Sequence, residues 1–128
     1  MKQKVHMRVI VVETQKKPEV QEIGDSLESM QEIVGGLIEA AYPFDAPVAL
    51  ICNEEGKLLD LPLNRALRDD AGEVYDIIAG TFFICAAPPG NDRFTDLTDQ
   101  QVKMYMERFA MPEMFLNVDG ALFVLPYL

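Results

Sequence analysis

Two strongly apolar segments, Val48–Cys52 (VALIC) and Ile77–Ala86 (IIAGTFFICA), constrain the fold more than any other feature of the sequence. Each is short and bounded by turn residues, which is typical of a buried strand. Between them lie a turn (NEEGK), a proline-bounded polar segment (LPLNRAL) and an acidic loop (DDAGEVYD). The stretch Val48–Ala86 therefore predicts two core strands that bracket one compact group of polar side chains.

The polar insert itself is predicted in pieces. Asn53–Gly56 indicates a hairpin turn with its glycine at a positive φ, after which Lys57–Leu59 pairs back. Leu61–Leu67 is predicted as a short helix, because its proline suits a first helical turn. Gly80 lies inside the second apolar segment and indicates a bulge or a close approach of another part of the chain.

The first part of the chain predicts a strand pair and a helix. Lys4–Val12 alternates and then becomes wholly apolar, as in a strand that enters the centre of a sheet, and Glu19–Ile23 is its expected antiparallel partner. A helix is expected to begin at Asp25 or Ser26, where Asp25 and Glu28 have capping-box spacing. Gly35-Gly36 supplies the left-handed residue that ends it.

The remaining elements are a strand, a helix and a terminal hairpin. Leu37–Tyr42 predicts a short strand, and Thr98 with Gln101 predicts a capped second helix. Asp-Gly between the apolar segments Met114–Val118 and Ala121–Leu125 is a strong hairpin signal. The sum is an α+β protein with a mixed or mainly antiparallel sheet of about six or seven short strands and two helices.

The charge of the chain disfavours nucleic acid as a direct partner. The formal net charge is −10, and an acidic surface repels phosphates. Residues 1–17 carry five bases against one acid, whereas the interval 18–56 carries nine acids and no base. This base-free interval motivates one alternative function, an acidic DNA mimic of the anti-restriction type.

The cysteines and the apolar segments bear on location. Cys52 and Cys85 both lie in apolar segments and are expected to be buried, free and reduced, as is usual in the cytoplasm. No signal peptide is expected, because His6 and Arg8 interrupt the first apolar residues. No apolar segment approaches the ~18 residues that a membrane-spanning helix needs, so a cytoplasmic protein without membrane contact is expected.

The sequence gives only weak evidence for a catalytic or metal-binding site. A single histidine and two distant cysteines lack the spacing of a zinc site or of a nucleophile–base pair, and neither a metal nor a cofactor is predicted. Arg65 is the most suggestive residue, since a guanidinium can grip a carboxylate with two hydrogen bonds. Either it ties its loop to an acid such as Glu54 or Asp76, or it recognises a ligand or partner together with Asn53 and Asn64.

Four segments carry a resemblance to a known family: GGLIEAAYP, ALICNEEGKLLDLPLNRAL, DIIAGTFFICA and LTDQQVKMYMERF, in this order. They resemble a bacterial and phage family described only as a domain of unknown function, numbered thirty-eight forty-six. The resemblance implies an accessory role on a phage or other mobile element, and it implies no activity or site residue. We expect a single domain over 1–128, with a family-like core at 9–109 and a hairpin extension at 112–128.

Three functions follow as hypotheses. The first is a non-enzymatic protein-interaction module, with the apolar C-terminal hairpin as a homodimer contact, because exposed strand edges and apolar patches favour pairing. The second is the acidic DNA mimic. The third is a small enzyme that uses Asn64 and Arg65, with the Glu54–Glu55 turn, on a polar ligand.

Overall fold

The computed structural model describes residues 5–127. Within that range the chain forms two helices and nine strands, and all strand pairs are antiparallel. The elements are β1 His6–Val12, β2 Glu19–Gly24, α1 Leu27–Val34, β3 Ile38–Ala41, β4 Val48–Asn53, β5 Leu63–Arg68, β6 Val74–Ala79, β7 Phe82–Ala86, α2 Asp99–Arg108, β8 Glu113–Val118 and β9 Ala121–Pro126.

The predicted α+β class and mainly antiparallel pairing are confirmed. The strand count is nine rather than six or seven, because the region between β4 and β7 contains a hairpin of its own. The predicted start of the first strand at Lys4, and the end of the C-terminal extension at Leu128, lie outside the described residues.

A five-stranded sheet with the order β2-β1-β7-β4-β3 forms the body of the protein. Its two faces are each covered by one helix, and each face has its own apolar cluster. We call them the α1 face, which contains Val9, Ile51 and Phe83 with Met30 and Val34 of α1, and the α2 face. The α2 face contains Ile10, Leu50, Phe82 and Ile84 with Tyr105 of α2 and Phe109, the residue that caps its C-terminus.

The helix boundaries follow the capping residues. Ser26 is the N-cap of α1 and its hydroxyl accepts a hydrogen bond from the Ser29 backbone N–H, so the predicted capping box of Asp25 with Glu28 is wrong. Gly35 ends the helix at φ 79°, as predicted. The capping box of Thr98 with Gln101 at the start of α2 is confirmed.

The segment between β4 and β7 differs from its sequence-based prediction. Lys57–Leu59 does not pair back on β4, because both edges of β4 are occupied by β3 and β7. The predicted helix at Leu61–Leu67 is wrong: Leu63–Arg68 is strand β5, which pairs with β6. The predicted positive φ of Gly56 is wrong. A glycine is needed there because a Cβ would lie 2.8 Å from the Ala79 carbonyl oxygen.

The apolar segment Ile77–Ala86 is two strands rather than one. Gly80 turns the chain with φ 83°, so that β6 pairs with β5 while β7 inserts between β1 and β4 in the main sheet. The Gly80 N–H donates to the carbonyl of Pro62 at 2.7 Å. The glycine is therefore the junction between two sheets.

The C-terminal hairpin is confirmed as β8 and β9, joined by Asp119-Gly120. It forms a separate two-stranded sheet. Among the elements in the described part of the chain, β8 contacts β5 of the body, and the hairpin projects from there.

Candidate functional site

Asn64 and Arg65, two of the three predicted site residues, lie side by side on β5 and are fully buried. The Asn64 amide donates to the carbonyls of Val12 at 2.8 Å and Gly80 at 2.9 Å. Its oxygen accepts a hydrogen bond from Arg65 at 2.9 Å. Asn64 thus fastens the β5–β6 hairpin to the end of β1 and to the junction before β7.

The Arg65 guanidinium connects three parts of the chain. It donates to the carbonyl of Lys16 at 2.6 Å, in the turn after β1, and to the carbonyl of Phe109 at 3.2 Å, at the end of α2. Burial lowers the pKa of Arg65, and the nearby carboxylate of Glu113 opposes that effect. The predicted tie to Glu54 or Asp76 is wrong, because the hydrogen bonds of Arg65 end on carbonyl and amide oxygens.

Asn53, the third predicted site residue, lies at the end of β4 and serves α1. Its amide nitrogen donates to the Val34 carbonyl at 3.1 Å, and its oxygen accepts from the Glu55 N–H at 2.8 Å. A Cβ at Gly36 would come within 2.9 Å of that amide. Arg65 lines one cavity, and Asn53 lines another. The structure therefore brings Asn64 and Arg65 together and leaves Asn53 apart. Ligand recognition by the three residues stays a prediction.

The two thiols are buried and have raised pKa values. Cys52 belongs to the cluster on the α2 face and Cys85 to the cluster on the α1 face, and both are free and buried. Burial raises the pKa of Cys85 to about 12, and burial together with Glu39 and Asp76 raises the pKa of Cys52 to about 11. Since the thiolate is the nucleophilic form, neither cysteine is a ready nucleophile. Residues 5–127 contain no group of three His, Cys, Asp or Glu side chains placed to hold a metal ion.

The acidic interval does not form a single face of the sheet. Glu19 pairs with Val11, so its side chain lies on the α1 face. Glu22 pairs with Arg8, and because side chains alternate along a strand, its side chain lies on the α2 face. Glu39 pairs with Cys52, on the α2 face. Because β2 and β3 are opposite edges of the sheet, these acids are divided between both faces and both edges.

The C-terminal hairpin presents a face that is apolar throughout. Side chains alternate along each strand, and the pairing of β8 with β9 therefore places six residues on one side of the ribbon. We call this set the hairpin face: Met114, Leu116, Val118, Ala121, Phe123 and Leu125. Leu116, Val118, Phe123 and Leu125 are between 40% and 52% exposed, and nothing within residues 5–127 covers them.

The opposite side of the hairpin holds it to the body. Glu113 is buried, with one carboxylate oxygen 2.8 Å from the Ala66 backbone N–H and the other 2.9 Å from Arg68. Phe115 and Val124, on the same side as Glu113, are half-buried. The attachment therefore turns the hairpin face toward solvent at the base of the ribbon, whereas near the tip Leu122, on the attached side, is exposed as well.

A concave groove of about 730 Å³ lies at the base of the hairpin. Its apolar lining comes from Pro18, Met106, Ala110, Met111, Pro112 and Tyr127, and its polar lining from Gln15 and Lys17. The Tyr127 N–H donates to the Pro112 carbonyl at 2.7 Å, which extends the strand ladder by one pair. Pro112 and Tyr127 therefore continue the hairpin face into the groove, and the two form one apolar surface.

Sequence reasoning identified this hairpin but missed its sidedness. The alternation is visible only once the register is known, because both sides of the ribbon contain apolar residues. Glu113 is the sequence signal that marks the attached side, as the one acid among the strand residues of the hairpin.

Neither helix in the described part of the chain is long and apolar enough to cross a membrane.

Comparison with known proteins gives one match. A family model described as "Domain of unknown function (DUF3846)" matches residues 7–110. No curated protein and no solved structure matches the chain. The matched range ends before β8, so it includes the sheet and both helices and leaves out the hairpin face.

Proposed function

The chain belongs to the DUF3846 family, and from that premise we propose that it is a protein-interaction module whose contact surface is the hairpin face with the groove beside it. The family description assigns no activity. The proposal therefore rests on the geometry of this chain's own C-terminal hairpin.

The observation that carries the proposal is the uncovered hairpin face. Six consecutive positions on one side of a two-stranded ribbon are apolar, and most of them are exposed. Burial of apolar surface contributes about 25 cal/mol per Å², so covering this face with a partner is favourable. Contiguous exposed apolar patches on folded proteins are characteristic of interaction sites.

The polar residues of the body support an interaction role better than an enzymatic one. Asn53, Asn64 and Arg65 are buried, and their amide and guanidinium groups hydrogen bond to the protein's own backbone and, for Arg65, to Asn64 as well. The Nε of Arg65, which is also buried, carries no hydrogen bond. A ligand would have to displace those bonds to reach the same donors. A catalytic use of Asn64 and Arg65 is therefore the weaker proposal.

The DNA-mimic alternative is also weaker. A mimic of DNA needs its carboxylates arranged along one surface, as phosphates are along a duplex. Glu19 and Glu22 lie on different sides of the same edge strand, and Glu39 lies on the far edge. We accordingly expect a protein partner and no direct contact with nucleic acid.

The setting of the interaction is part of the proposal. Two free, buried cysteines suit a reducing compartment, so we place the protein in the cytoplasm. We also place its gene on a phage or another mobile element, in keeping with the family resemblance, and the genes that flank it test this.

A site-specific crosslink tests the contact surface directly. Phe123 is replaced by the photoreactive p-benzoylphenylalanine in cells, and Tyr75, which is 55% exposed on β6, receives the same replacement as a matched control. We expect a protein adduct from position 123 that position 75 does not give, measured by gel shift and mass spectrometry. The added substitution Leu116→Ser is expected to abolish it, because it makes the centre of the hairpin face polar. Equal adducts from both positions, or an adduct that survives Leu116→Ser, would contradict the proposal.

A further inference from the structure

We propose that the partner is a second copy of this chain, and that the two copies pack hairpin face to hairpin face about a two-fold axis, with the tip of each hairpin over the groove of the other. This inference rests on the proposed function. It goes further by naming the partner and its orientation.

The shape of the surface suits self-association. A six-residue ribbon is about 20 Å long, and Pro112 and Tyr127, which continue its two strands at the base, line the groove. Two such surfaces related by a two-fold axis each supply a projecting ribbon and a receiving groove, which is the arrangement of an isologous interface. The groove lining from Met106, Ala110 and Met111 adds apolar area beyond the hairpin face itself.

Two charged residues determine the orientation. Asp119, at the tip, is the one charged residue between Met114 and Tyr127, and Lys17 is the one charged residue that lines the groove. If the two hairpins point the same way, the tips meet and the two Asp119 carboxylates repel each other. If they point in opposite directions, each Asp119 lies over the partner's base, where Lys17 is.

The net charge favours the same orientation. Two chains with a formal net charge of −10 each, nearly all of it on the bodies, repel at short range, and at physiological salt this repulsion is screened over about 8 Å. Hairpins that point in opposite directions keep the bodies about one ribbon length apart, which is roughly 20 Å. The nearly uncharged hairpin is thus the part of the chain that a second copy can approach.

Stable dimers bury about 800 Å² per partner. We expect one ribbon face and one groove to bury less than that, and therefore a dimer that dissociates at micromolar concentration. The mass of the protein, measured by sedimentation over a concentration series, is then expected to rise from 14.4 kDa toward twice that value.

A charge exchange between two variants tests the orientation. Asp119→Lys and Lys17→Asp each place like charges opposite one another, so each is expected to dimerise about five- to tenfold more weakly than the native chain. In an equimolar mixture of the two variants, both contacts regain opposite charges in the mixed dimer. We expect the mixture to associate more tightly than either variant alone.

Control variants distinguish the effect of a changed charge from the effect of a damaged turn. Arg93→Asp, at an exposed position that does not line the groove, changes the net charge as Lys17→Asp does and is expected to leave the dissociation constant unchanged. Asp119 has a left-handed φ of 52°, which asparagine also adopts readily, so Asp119→Asn removes the charge with little strain and is expected to fall between native and Asp119→Lys. A damaged turn would not be repaired by mixing.

The outcomes distinguish this inference from the proposed function. A mixture that dimerises no better than its components overturns the orientation. A native chain that stays monomeric at all concentrations, while position 123 still forms an adduct with another protein, overturns the second copy as partner and leaves the interaction surface in place. Loss of both results overturns both proposals.

Discussion

Arg65 is a buried cation that is held by uncharged oxygens. Its hydrogen bonds reach the turn after β1, the last residues of α2 and its neighbour Asn64, so one side chain holds together segments that are far apart in sequence. The last carbonyls of a helix carry partial negative charge, and Phe109 supplies one of them. A cation at that position satisfies an acceptor that the helix itself cannot.

We predict that Arg65→Met lowers the free energy of unfolding by about 3–5 kcal/mol, because it leaves the buried oxygens of Phe109 and Asn64, and the half-buried carbonyl of Lys16, without this donor. Urea unfolding monitored by circular dichroism measures it. Arg93→Met is the control, since Arg93 is exposed and meets Asp25 only at 3.5 Å; we expect a change within about 0.5 kcal/mol. Equal midpoints for the two variants would contradict the structural role of Arg65.

At the scale of the element, the region between β4 and β7 shows what sequence could and could not predict. Apolar patterns and capping residues correctly predicted strands β1 to β4, both helices and the terminal hairpin. The residues Leu61–Leu67 are too few for a helical period to be distinguished from a strand, and their strand conformation depends on pairing with β6. Such pairing is a tertiary contact that local sequence does not encode.

The division of Ile77–Ala86 was missed for a related reason. Both halves are apolar, so composition does not show that they enter different sheets. The polar residues were identified as important, but their partners are backbone carbonyls of distant segments, such as Val12 for Asn64 and Val34 for Asn53. Carbonyl partners have no sequence signature, whereas carboxylate partners do.

The sign of the stability change caused by Gly56→Ala tests the close contact between Gly56 and Ala79. The φ of Gly56 lies outside the left-handed region. At such positions, replacing glycine by alanine ordinarily stabilises a protein by about 0.4–1 kcal/mol. Because a Cβ here would lie 2.8 Å from the Ala79 carbonyl oxygen and 3.4 Å from its Cβ, we predict that Gly56→Ala instead destabilises by about 1–3 kcal/mol.

The control for Gly56→Ala is Gly72→Ala. Gly72 has φ 80° and open space around it, so it reports backbone strain alone, of about 1–2 kcal/mol. Thermal unfolding compares the two variants with the native chain. A gain in stability for Gly56→Ala would mean that β6 does not approach the turn after β4 as closely as described.

At the scale of the whole molecule, the protein consists of a layered body and a hairpin fastened to it by one buried carboxylate. The body contains the family-matched residues 7–110, with one apolar cluster on each side of its sheet. Glu113 is shared, since it begins β8 and yet bonds to Ala66 and Arg68 of β5. This arrangement implies that the body folds without the hairpin, provided that the carboxylate stays.

We predict that a chain ending at Glu113 keeps its fold, whereas a chain ending at Pro112 loses a further 1–3 kcal/mol or so, because the Ala66 N–H is then buried without an acceptor. Denaturant unfolding of the two truncated chains measures the difference. Both lack the contacts of Phe115 and Val124, so those contacts cancel in the comparison. Identical stabilities would show that Glu113 does not hold β5 in the way its geometry indicates.

The position of β7 has a consequence for the order in which the protein is made. β7 lies at the centre of the sheet, between β1 and β4, yet both of its neighbours leave the ribosome well before it. Until Phe82–Ala86 has been synthesised, the β1–β2 and β3–β4 pairs are two separate hairpins, each with an unfilled apolar edge. Such edges favour association between chains. The nascent protein is therefore most vulnerable to aggregation just before its central strand arrives, and that strand joins the two hairpins into one sheet.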